Sequence, residues 1–171
     1  MSYSNNFRLF LAIPVRLYDY GEIKKEFATL LDGQWRAEEH LHVTIAFLGN
    51  HFEPNVLIEK LLFFNWSFDV SELTTFDYFQ KSRVFVTTTQ NPTLQKLYER
   101  LQSLLALDDS ILTPHATLMR VKKITDTDLF FERINTVSSE AVGILESKVV
   151  LYQSSLHADG VRYEILQEWP V

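Results

Sequence analysis

Alternating apolar and polar residues predict several β-strands in this chain. The most regular alternation lies in residues 38–50, EEHLHVTIAFLGN, where every second residue from Leu41 to Phe47 is apolar. Further strands are predicted over residues 7–13, ended by Pro14, over 113–121, and as two or three antiparallel strands over 66–79 and 82–89. Because one face of such a strand is apolar, we expect that face to cover a hydrophobic core.

Apolar residues spaced three and four apart predict helices between these strands. The most regular helix is predicted over residues 91–107, with Asn91 as its N-cap, Pro92 at the first helical position, and a stripe of leucines at 94, 97, 101, 104 and 105. Two shorter helices are predicted, one over residues 18–33 that ends at Gly33 and one over 53–64 with Pro54 in its first turn. Strands and helices therefore alternate along the chain.

Two of the predicted strands carry the same four-residue pattern. HVTI at residues 42–45 and HATL at 115–118 both read histidine, apolar residue, threonine, apolar residue. Since alternate side chains of a strand share a face, each histidine is expected beside its threonine, while the apolar residues point into the core. Each copy follows a predicted helix, so the chain resembles two related halves whose strands bring the two motifs face to face.

Paired histidines and threonines suit one kind of chemistry. Near neutral pH one imidazole can accept a proton from water while another, as the imidazolium, donates a proton to a leaving oxygen. Threonine hydroxyls can donate hydrogen bonds to the nonbridging oxygens of a phosphate. These residues therefore indicate cleavage of a phosphodiester with a poor alkoxide leaving group, especially a strained cyclic one, by a reaction that requires no metal or other cofactor.

Composition narrows the possible classes of protein. The 171 residues are 46% hydrophobic, enough for the core of one domain or of two packed lobes. The absence of cysteine excludes disulfides, thiolate chemistry and cysteine-ligated metals. No apolar run reaches the roughly 18 residues that span a bilayer, and the N-terminus has no basic segment before its apolar stretch, so we expect a cytoplasmic protein without a membrane segment.

Charge narrows the choice of partner. A formal net charge of −6 argues against a protein that coats long stretches of nucleic acid, but it allows a small anionic group in a local basic pocket. The densest basic clusters outside the predicted helices are KSR at 81–83 and RVKK at 120–123. Most of these residues are interpreted as solvated surface charge.

Simpler interpretations exist for every histidine. His42 and His115 can be structural residues that hydrogen-bond their own threonines. His40 and His42 would share a strand face and form a metal pair, but no third ligand is placed by the sequence, so His40 is interpreted as a polar residue at the strand entry. His51 and His157 are expected to be solvated, in a loop and in a hairpin respectively.

The paired motifs resemble the signatures of the 2H phosphoesterase superfamily. The chain as a whole is similar to its bacterial and archaeal branch of RNA 2′,3′-cyclic phosphodiesterases, historically called 2′-5′ RNA ligases. The similarity runs from RLFLAIPV at residue 8 through LHVTIAFLGN, SRVFV and PHATLMRV to LYQSSLHADGVRYEILQEWP at the end. Phe-Leu-Gly follows the first motif, and Pro114 and Arg120 flank the second. The main departure is Ala116, where the family more often has valine or isoleucine.

The resemblance implies a fold and a reaction. The fold is α+β, a single bilobal two-histidine phosphoesterase domain over residues 1–171, with two antiparallel sheets backed by helices and a central groove. The reaction is hydrolysis of a 2′,3′-cyclic phosphate at an RNA end to a 2′-phosphate. The partners are RNA ends or small nucleotides with a 2′,3′-cyclic phosphate, and the protein is expected to be a monomer.

The resemblance also implies a role for each site residue. His42 would protonate the departing O3′ and His115 would activate the water, while Thr44 and Thr117 would hold the phosphate. The sequence alone does not determine which histidine has which role. Arg120 would add a guanidinium to the anion pocket, although strict alternation from His115 puts it on the opposite face unless a β-bulge turns it inward.

Other functions stay open from the sequence. A noncatalytic protein that binds RNA ends or nucleotides would use the same pocket, although it would not need a matched acid and base. A 2′-5′ phosphodiesterase or RNA ligase, or an enzyme that hydrolyses small cyclic nucleotides, would use the same residues. Some of Phe10, Phe47, Phe85 and Tyr152 are candidates to stack on a base at the groove, although most aromatic residues of strands belong to the core.

Overall fold

The structure is a computed structural model that describes residues 7–138 and 140–171. Within these ranges the strands are β1 (Phe7–Leu17), β2 (Leu31–Trp35), β3 (His42–Gly49), β4 (Glu72–Leu73), β5 (Thr75–Phe79), β6 (Val84–Thr88), β7 (His115–Ile124), β8 (Gly143–Leu145), β9 (Lys148–His157) and β10 (Gly160–Pro170). The helices are α1 (Tyr20–Phe27), α2 (Pro54–Leu61), α3 (Pro92–Leu105) and α4 (Thr127–Val137). None of the helices in these ranges is both long and apolar enough to cross a membrane.

The strands of the described residues form one antiparallel sheet with two parts, called the first and the second sheet below, which join at one pair of residues between β3 and β7. In the first sheet β10, β9, β1 and β3 lie side by side in that order, and β8 and β4 extend it from the C-terminal part of β1. In the second sheet β7 pairs along one edge with β6, which continues to β5, and along the other edge with β2. The expected α+β class is therefore confirmed, but the two expected antiparallel sheets are joined into one.

The helices cover the two sheets on their buried sides. In the first sheet α3 packs against β3, and Trp66, which follows α2, stacks on Trp169 of β10 with 4.7 Å between the ring centroids. In the second sheet Phe27 of α1 and Phe130 of α4 both contact the buried Phe85 of β6. Each sheet takes strands from both halves of the sequence, so the two sheets do not correspond to those two halves.

Strand β1 continues through Pro14, although a strand ending at that proline is predicted. On one edge Pro14 lies opposite His42 of β3. On the other edge β1 changes partner, from β9, which pairs as far as Ala12, to β8, which pairs from Val15. The carbonyl of Pro14 accepts a hydrogen bond from Glu146 N (2.9 Å) in the gap between these partners. Because the missing N–H of proline falls at this gap, the sheet loses no ladder hydrogen bond.

The prediction of one helix over 18–33 is wrong in its second half. Helix α1 ends at Phe27, and residues 31–35 form β2 instead. Gly33 lies within this strand, where a Cβ atom would clash with the carbonyl oxygen of Arg120 on β7. The glycine therefore does not end a helix; it allows two strands to approach closely.

The other predicted helices are observed with small differences. Helix α3 has the expected N-cap, because the side-chain oxygen of Asn91 accepts a hydrogen bond from Thr93 N (3.1 Å). Four of its five predicted core leucines are buried, but Leu104 is exposed and Tyr98 is buried in its place. Helix α2 begins at the expected Pro54 and ends at Leu61, three residues before the predicted end.

Candidate active site

The two motif strands meet at a pair of core residues. Val43 of β3 lies opposite Ala116 of β7 in antiparallel register. Both side chains are fully buried, as are Ile45 and Leu118, the other apolar residues of the two motifs. The alternation predicted from the sequence therefore holds within the two motifs, although it fails at the exposed Phe47, and the opposite face of both motifs is left for polar side chains.

The register brings the four polar residues of the motifs together. Since Val43 and Ala116 are opposite each other, His42 comes next to Thr117, and Thr44 comes next to His115. All four side chains line one cleft of about 530 Å³ between the two sheets. Each histidine therefore lies beside the threonine of the other strand, and both threonines line the same cleft as the histidines.

Both imidazoles are held in the same tautomer. Nδ1 of His42 lies 2.7 Å from the carbonyl oxygen of His40, and Nδ1 of His115 lies 2.7 Å from that of Thr113. A carbonyl oxygen can only accept, so each Nδ1 carries the hydrogen and donates it. Nε2 of each ring is left for a substrate, where it accepts a proton in the neutral form or donates one in the charged form.

The threonine hydroxyls are available to a ligand. Within residues 7–138 and 140–171, neither Thr44 nor Thr117 uses its hydroxyl in a hydrogen bond, whereas the hydroxyls of several other threonines are bonded. The two histidines bond backbone carbonyls and not these hydroxyls. This arrangement disagrees with the interpretation in which each histidine merely hydrogen-bonds its own threonine.

Aromatic side chains surround His42 on the first sheet. The centroid of its ring lies 5.1 Å from that of Phe10, 5.8 Å from Tyr152 and 6.0 Å from Tyr163. Phe10 and Tyr152 stack on each other, and Tyr163 meets both edge-on. His115 has a different neighbour, Phe79, at 4.8 Å. The two histidines therefore have the same hydrogen bond but different surroundings.

The surroundings of His42 change its pKa. Burial among these rings lowers the pKa of His42 from 6.5 to about 4, because the charged form loses its hydration. The hydrogen bond to the His40 carbonyl acts in the opposite direction, while the positive charges of Arg36, His40 and His115 lower the pKa further. In the free protein at neutral pH, His42 is therefore a neutral imidazole.

Two arginines make the cleft suitable for an anion. Arg8 of β1 and Arg36, which follows β2, both line it, and none of its described lining residues is an aspartate or glutamate. In the described part of the chain neither arginine has a carboxylate within ion-pair distance. Neither arginine is predicted from the sequence as a site residue. Arg36 lies next to the motif strands only because β2 pairs with β7, a pairing that its local sequence does not reveal.

A β-bulge turns Arg120 to the face of β7 that carries His115 and Thr117. In the ladder between β6 and β7 the extra residue is Leu118, and both it and Met119 are buried. Beyond the bulge Arg120 is exposed on the same face of β7 as His115 and Thr117. However, it does not line the cleft: it lies in a neighbouring depression of about 660 Å³. Its role in substrate binding stays a prediction.

The same bulge occurs in the first motif strand. The ladder between β1 and β3 has two extra residues, Leu48 and Ile45. At the one within the motif, Ile45 and Ala46 are both buried. Phe47 follows in the position that Arg120 has on β7, with 80% of its surface exposed, and it lines the cleft. The two strands therefore share histidine, threonine and bulge, and they differ at the next outward residue. Phe85, another candidate for base stacking, is fully buried in the core.

The remaining histidines lie near the places expected for them. His40 is the last residue of a short 3-10 helix, Glu38–His40, immediately before β3, and it also lines the cleft, edge-on to Tyr163 at 5.3 Å. In the described ranges no three His, Asp or Glu side chains are grouped as metal ligands. His51 is exposed in a turn, and His157 is exposed at the hairpin between β9 and β10.

The chain is similar to two curated proteins over nearly its whole length. No family model matches the chain. The RNA 2′,3′-cyclic phosphodiesterase of Thermotoga maritima is 28% identical over 181 residues, with 94% of this chain and 94% of that protein covered. The RNA 2′,3′-cyclic phosphodiesterase of Methanocaldococcus jannaschii is 28% identical over 179 residues, with 95% of this chain and 99% of that protein covered.

Solved structures share the fold. A crystal structure described as a phosphoesterase is 26% identical, covers 96% of this chain and 98% of its own, and has a TM-score of 0.70. E. coli LigT, crystallised in complex with NADP+, is 24% identical, covers 96% of this chain and 97% of its own, and has a TM-score of 0.73. The similarity extends over both sheets and therefore includes both strands that carry the paired motifs.

Proposed function

We propose that this chain belongs to the 2H phosphoesterase superfamily and hydrolyses a 2′,3′-cyclic phosphate at the end of an RNA to a 2′-phosphate. The observation that carries the proposal is the arrangement of the two motifs in one cleft. Each imidazole has its Nδ1 hydrogen bonded to a carbonyl and its Nε2 left for substrate, with a free threonine hydroxyl beside it. The names of the two curated relatives support the same activity for this protein.

The threonines bind the phosphate in this proposal. A cyclic phosphodiester placed between the two rings has two nonbridging oxygens, and each accepts a hydrogen bond from Thr44 or Thr117. Negative charge on these oxygens increases when the attacking water makes phosphorus pentacoordinate, so the two hydrogen bonds become stronger in the transition state. The positive charges of Arg8 and Arg36 in the same cleft favour the anion in both states.

The histidines move the protons. Nε2 of His115 accepts a proton from water as the water oxygen bonds to phosphorus. The bond between phosphorus and O3′ breaks, and Nε2 of His42 donates a proton to O3′, which leaves a 2′-phosphate and a 3′-hydroxyl. This step requires His42 to be charged, although it is neutral in the free protein. The bound phosphodiester favours the charged form of His42, because a negative charge beside the imidazole raises its pKa.

One experiment tests the activity against the alternatives. An oligoribonucleotide that ends in a 2′,3′-cyclic phosphate is incubated with the protein in the presence of EDTA, and the position of the phosphate in the product is mapped. A 2′-phosphate formed without divalent metal supports the proposal. Binding without turnover would indicate a noncatalytic protein that binds RNA ends. A 3′-phosphate in the product would show that O2′ is the leaving oxygen in place of O3′. Activity that needs an added divalent ion would contradict the proposed acid–base mechanism.

Two further substrates separate the related activities. A 2′,3′-cyclic mononucleotide tests for an enzyme of small cyclic nucleotides, and RNA fragments with a 2′-5′ linkage test for phosphodiesterase or ligase activity on that bond. If either is processed more efficiently than the RNA end, the proposed substrate is wrong while the catalytic site stands. The monomeric state and cytoplasmic location stay predictions.

A further inference from the structure

A second surface, outside the catalytic cleft, carries a concentration of positive charge. Lys81, Arg83, Arg120 and Lys122 are all exposed and line one depression of about 660 Å³. Asp32 is the acidic residue among its described lining residues. The whole chain has a formal net charge of −6, so this surface has the opposite sign to the protein as a whole. We call these four residues the basic surface.

The fold holds these charges together. The turn between β5 and β6 is joined to β7, because Arg83 O accepts a hydrogen bond from Val121 N (2.8 Å) and the Arg83 guanidinium donates to the carbonyl of Lys122. Arg83 has a φ of 56°, in the left-handed region that is uncommon for residues other than glycine. In the described part of the chain none of the four basic side chains has a carboxylate within ion-pair distance. The backbone therefore holds four positive charges close together, and within the described residues none of them is paired with a carboxylate.

The basic surface is continuous with the catalytic cleft. Gln34 of β2 lies opposite Arg120 and lines the same depression, and Arg36 is two residues further along on the same face, in the cleft. On β7 the bulge puts Arg120 on the face of Thr117, three residues away, or roughly 10 Å along the strand. A short polar path therefore joins the phosphate site to the basic surface.

We propose that the basic surface binds backbone phosphates of a single-stranded RNA whose terminal cyclic phosphate occupies the cleft. This inference rests on the proposed function and specifies its substrate as an oligonucleotide, in preference to a mononucleotide. A strand that leaves the cleft along β2 and β7 carries one phosphate per nucleotide past these four cations. Each phosphate that a lysine or arginine neutralises releases counterions, which favours binding at low salt.

Substitution of two lysines tests the proposal through a ratio of rates. Lys81→Glu and Lys122→Glu are each expected to lower, by about 10-fold, the ratio of kcat/KM for a cyclic-phosphate oligoribonucleotide to kcat/KM for the 2′,3′-cyclic mononucleotide. The mononucleotide has no backbone phosphate that can reach the basic surface. Lys60→Glu on α2 and Lys96→Glu on α3 make the same charge change at other exposed positions and are expected to leave both rates unchanged.

Salt dependence tests the same surface without turnover. The Kd of a fluorescently labelled oligoribonucleotide is measured over a range of salt concentrations for the wild type and for Lys81→Gln, Lys122→Gln and Lys60→Gln. Loss of one phosphate contact reduces the slope of log affinity against log salt by about 0.7 for a single strand. We expect this reduction for Lys81→Gln and Lys122→Gln and none for Lys60→Gln.

The outcomes separate this proposal from the proposed function. If the substitutions at 81 and 122 change neither the rate ratio nor the salt slope, or if those at 60 and 96 have equal effects, the basic surface does not bind RNA. If the wild type hydrolyses neither substrate but the salt slopes change as expected, the proposed function fails and the RNA-binding surface stands. If both substrates are hydrolysed with an unchanged ratio, only the RNA-binding surface fails.

Discussion

Val43 of β3 and Ala116 of β7 lie opposite each other, and the two four-residue motifs are arranged with approximate twofold symmetry about this pair. On each strand a histidine precedes the central residue and donates Nδ1–H to the carbonyl two residues earlier. On each strand a β-bulge falls at the last residue of the motif, Ile45 or Leu118. This symmetry places both imidazoles at one cleft, as the proposed in-line displacement at phosphorus requires.

The symmetry does not extend to the surroundings, and the difference separates the chemical roles of the rings. His42 is enclosed by Phe10, Tyr152 and Tyr163, whereas His115 contacts Phe79. A reaction that needs one acid and one base cannot use two identical groups in the same protonation state. The aromatic enclosure on one side therefore distinguishes the two histidines that the symmetric backbone makes alike.

Removing either histidine is expected to remove most of the activity. His42→Ala and His115→Ala should each lower kcat for the cyclic phosphate by a factor on the order of 10² to 10⁴, the contribution of a positioned acid or base. The double variant should be much less impaired than the product of the two losses, because the residues act as a unit. The exposed His51→Ala is the matched control. Full activity in either single variant, measured on folded protein, would contradict the mechanism.

A substrate with a better leaving group is expected to identify the acid. When sulfur replaces O3′ in the cyclic phosphate, the leaving thiolate needs no proton, so loss of the general acid should have little effect. We expect His42→Ala to lose at least about 10-fold less activity on the sulfur substrate than on the normal one. His115→Ala should lose the same activity on both, because the attacking water still has to be deprotonated. The opposite pattern would reverse the two roles.

The pH profile is expected to report the low pKa of His42. Because kcat/KM reflects the free enzyme, one limb of its bell-shaped profile should lie near pH 4, well below the ordinary value of 6.5. In the profile of kcat this limb should move to higher pH, since the bound phosphodiester favours the imidazolium.

A pair of substitutions at Tyr163 tests the cause of that shift. Tyr163→Ala removes one of the rings that enclose His42, so the limb near pH 4 should move toward 6.5. Tyr163→Phe keeps the ring and should leave the limb in place. A limb that stays at the same pH in both variants would show that burial by this ring does not lower the pKa of His42.

The same pKa shift is expected to affect stability. Between about pH 4 and 6.5 the unfolded chain binds a proton at His42 that the folded protein does not bind, so the free energy of unfolding should fall as the pH decreases through this window. The contribution of this one residue is at most about 1.4 kcal/mol per pH unit. Denaturant titrations at several pH values give the free energy of unfolding as a function of pH. This dependence should be weaker in His42→Gln than in the wild type, while His51→Gln should match the wild type.

The positions of the four proposed site residues were predictable because the information that places them is local. A strand alternates its side chains, so HVTI and HATL alone put His42 beside Thr44 and His115 beside Thr117 on the face away from the core. The type of each site residue indicated its chemistry. Nothing about the loops or the helices was needed to find these four side chains.

The residues around them depend on pairing between distant parts of the chain. The apolar spacing of Phe27, Leu30 and Leu31 fits a helix and all three are buried, yet Leu31 begins β2 because that segment pairs with β7. Arg36 enters the cleft through this same pairing. The face of Arg120 depends on one extra residue in a ladder, which strict alternation cannot reveal.

The threonines are expected to contribute less than the histidines and to contribute only to catalysis. Thr44→Ala and Thr117→Ala each remove one donor to a nonbridging oxygen, so kcat should fall by roughly 10-fold to 10³-fold. The free energy of unfolding should hardly change, since both side chains are on the cleft face and their hydroxyls form no hydrogen bond within the described part of the chain. Thr44→Ser and Thr117→Ser keep the hydroxyl and should recover most of the rate, whereas the nearly isosteric Thr→Val changes should not. If serine and valine have equal effects at these positions, the hydroxyls do not stabilise the phosphorane.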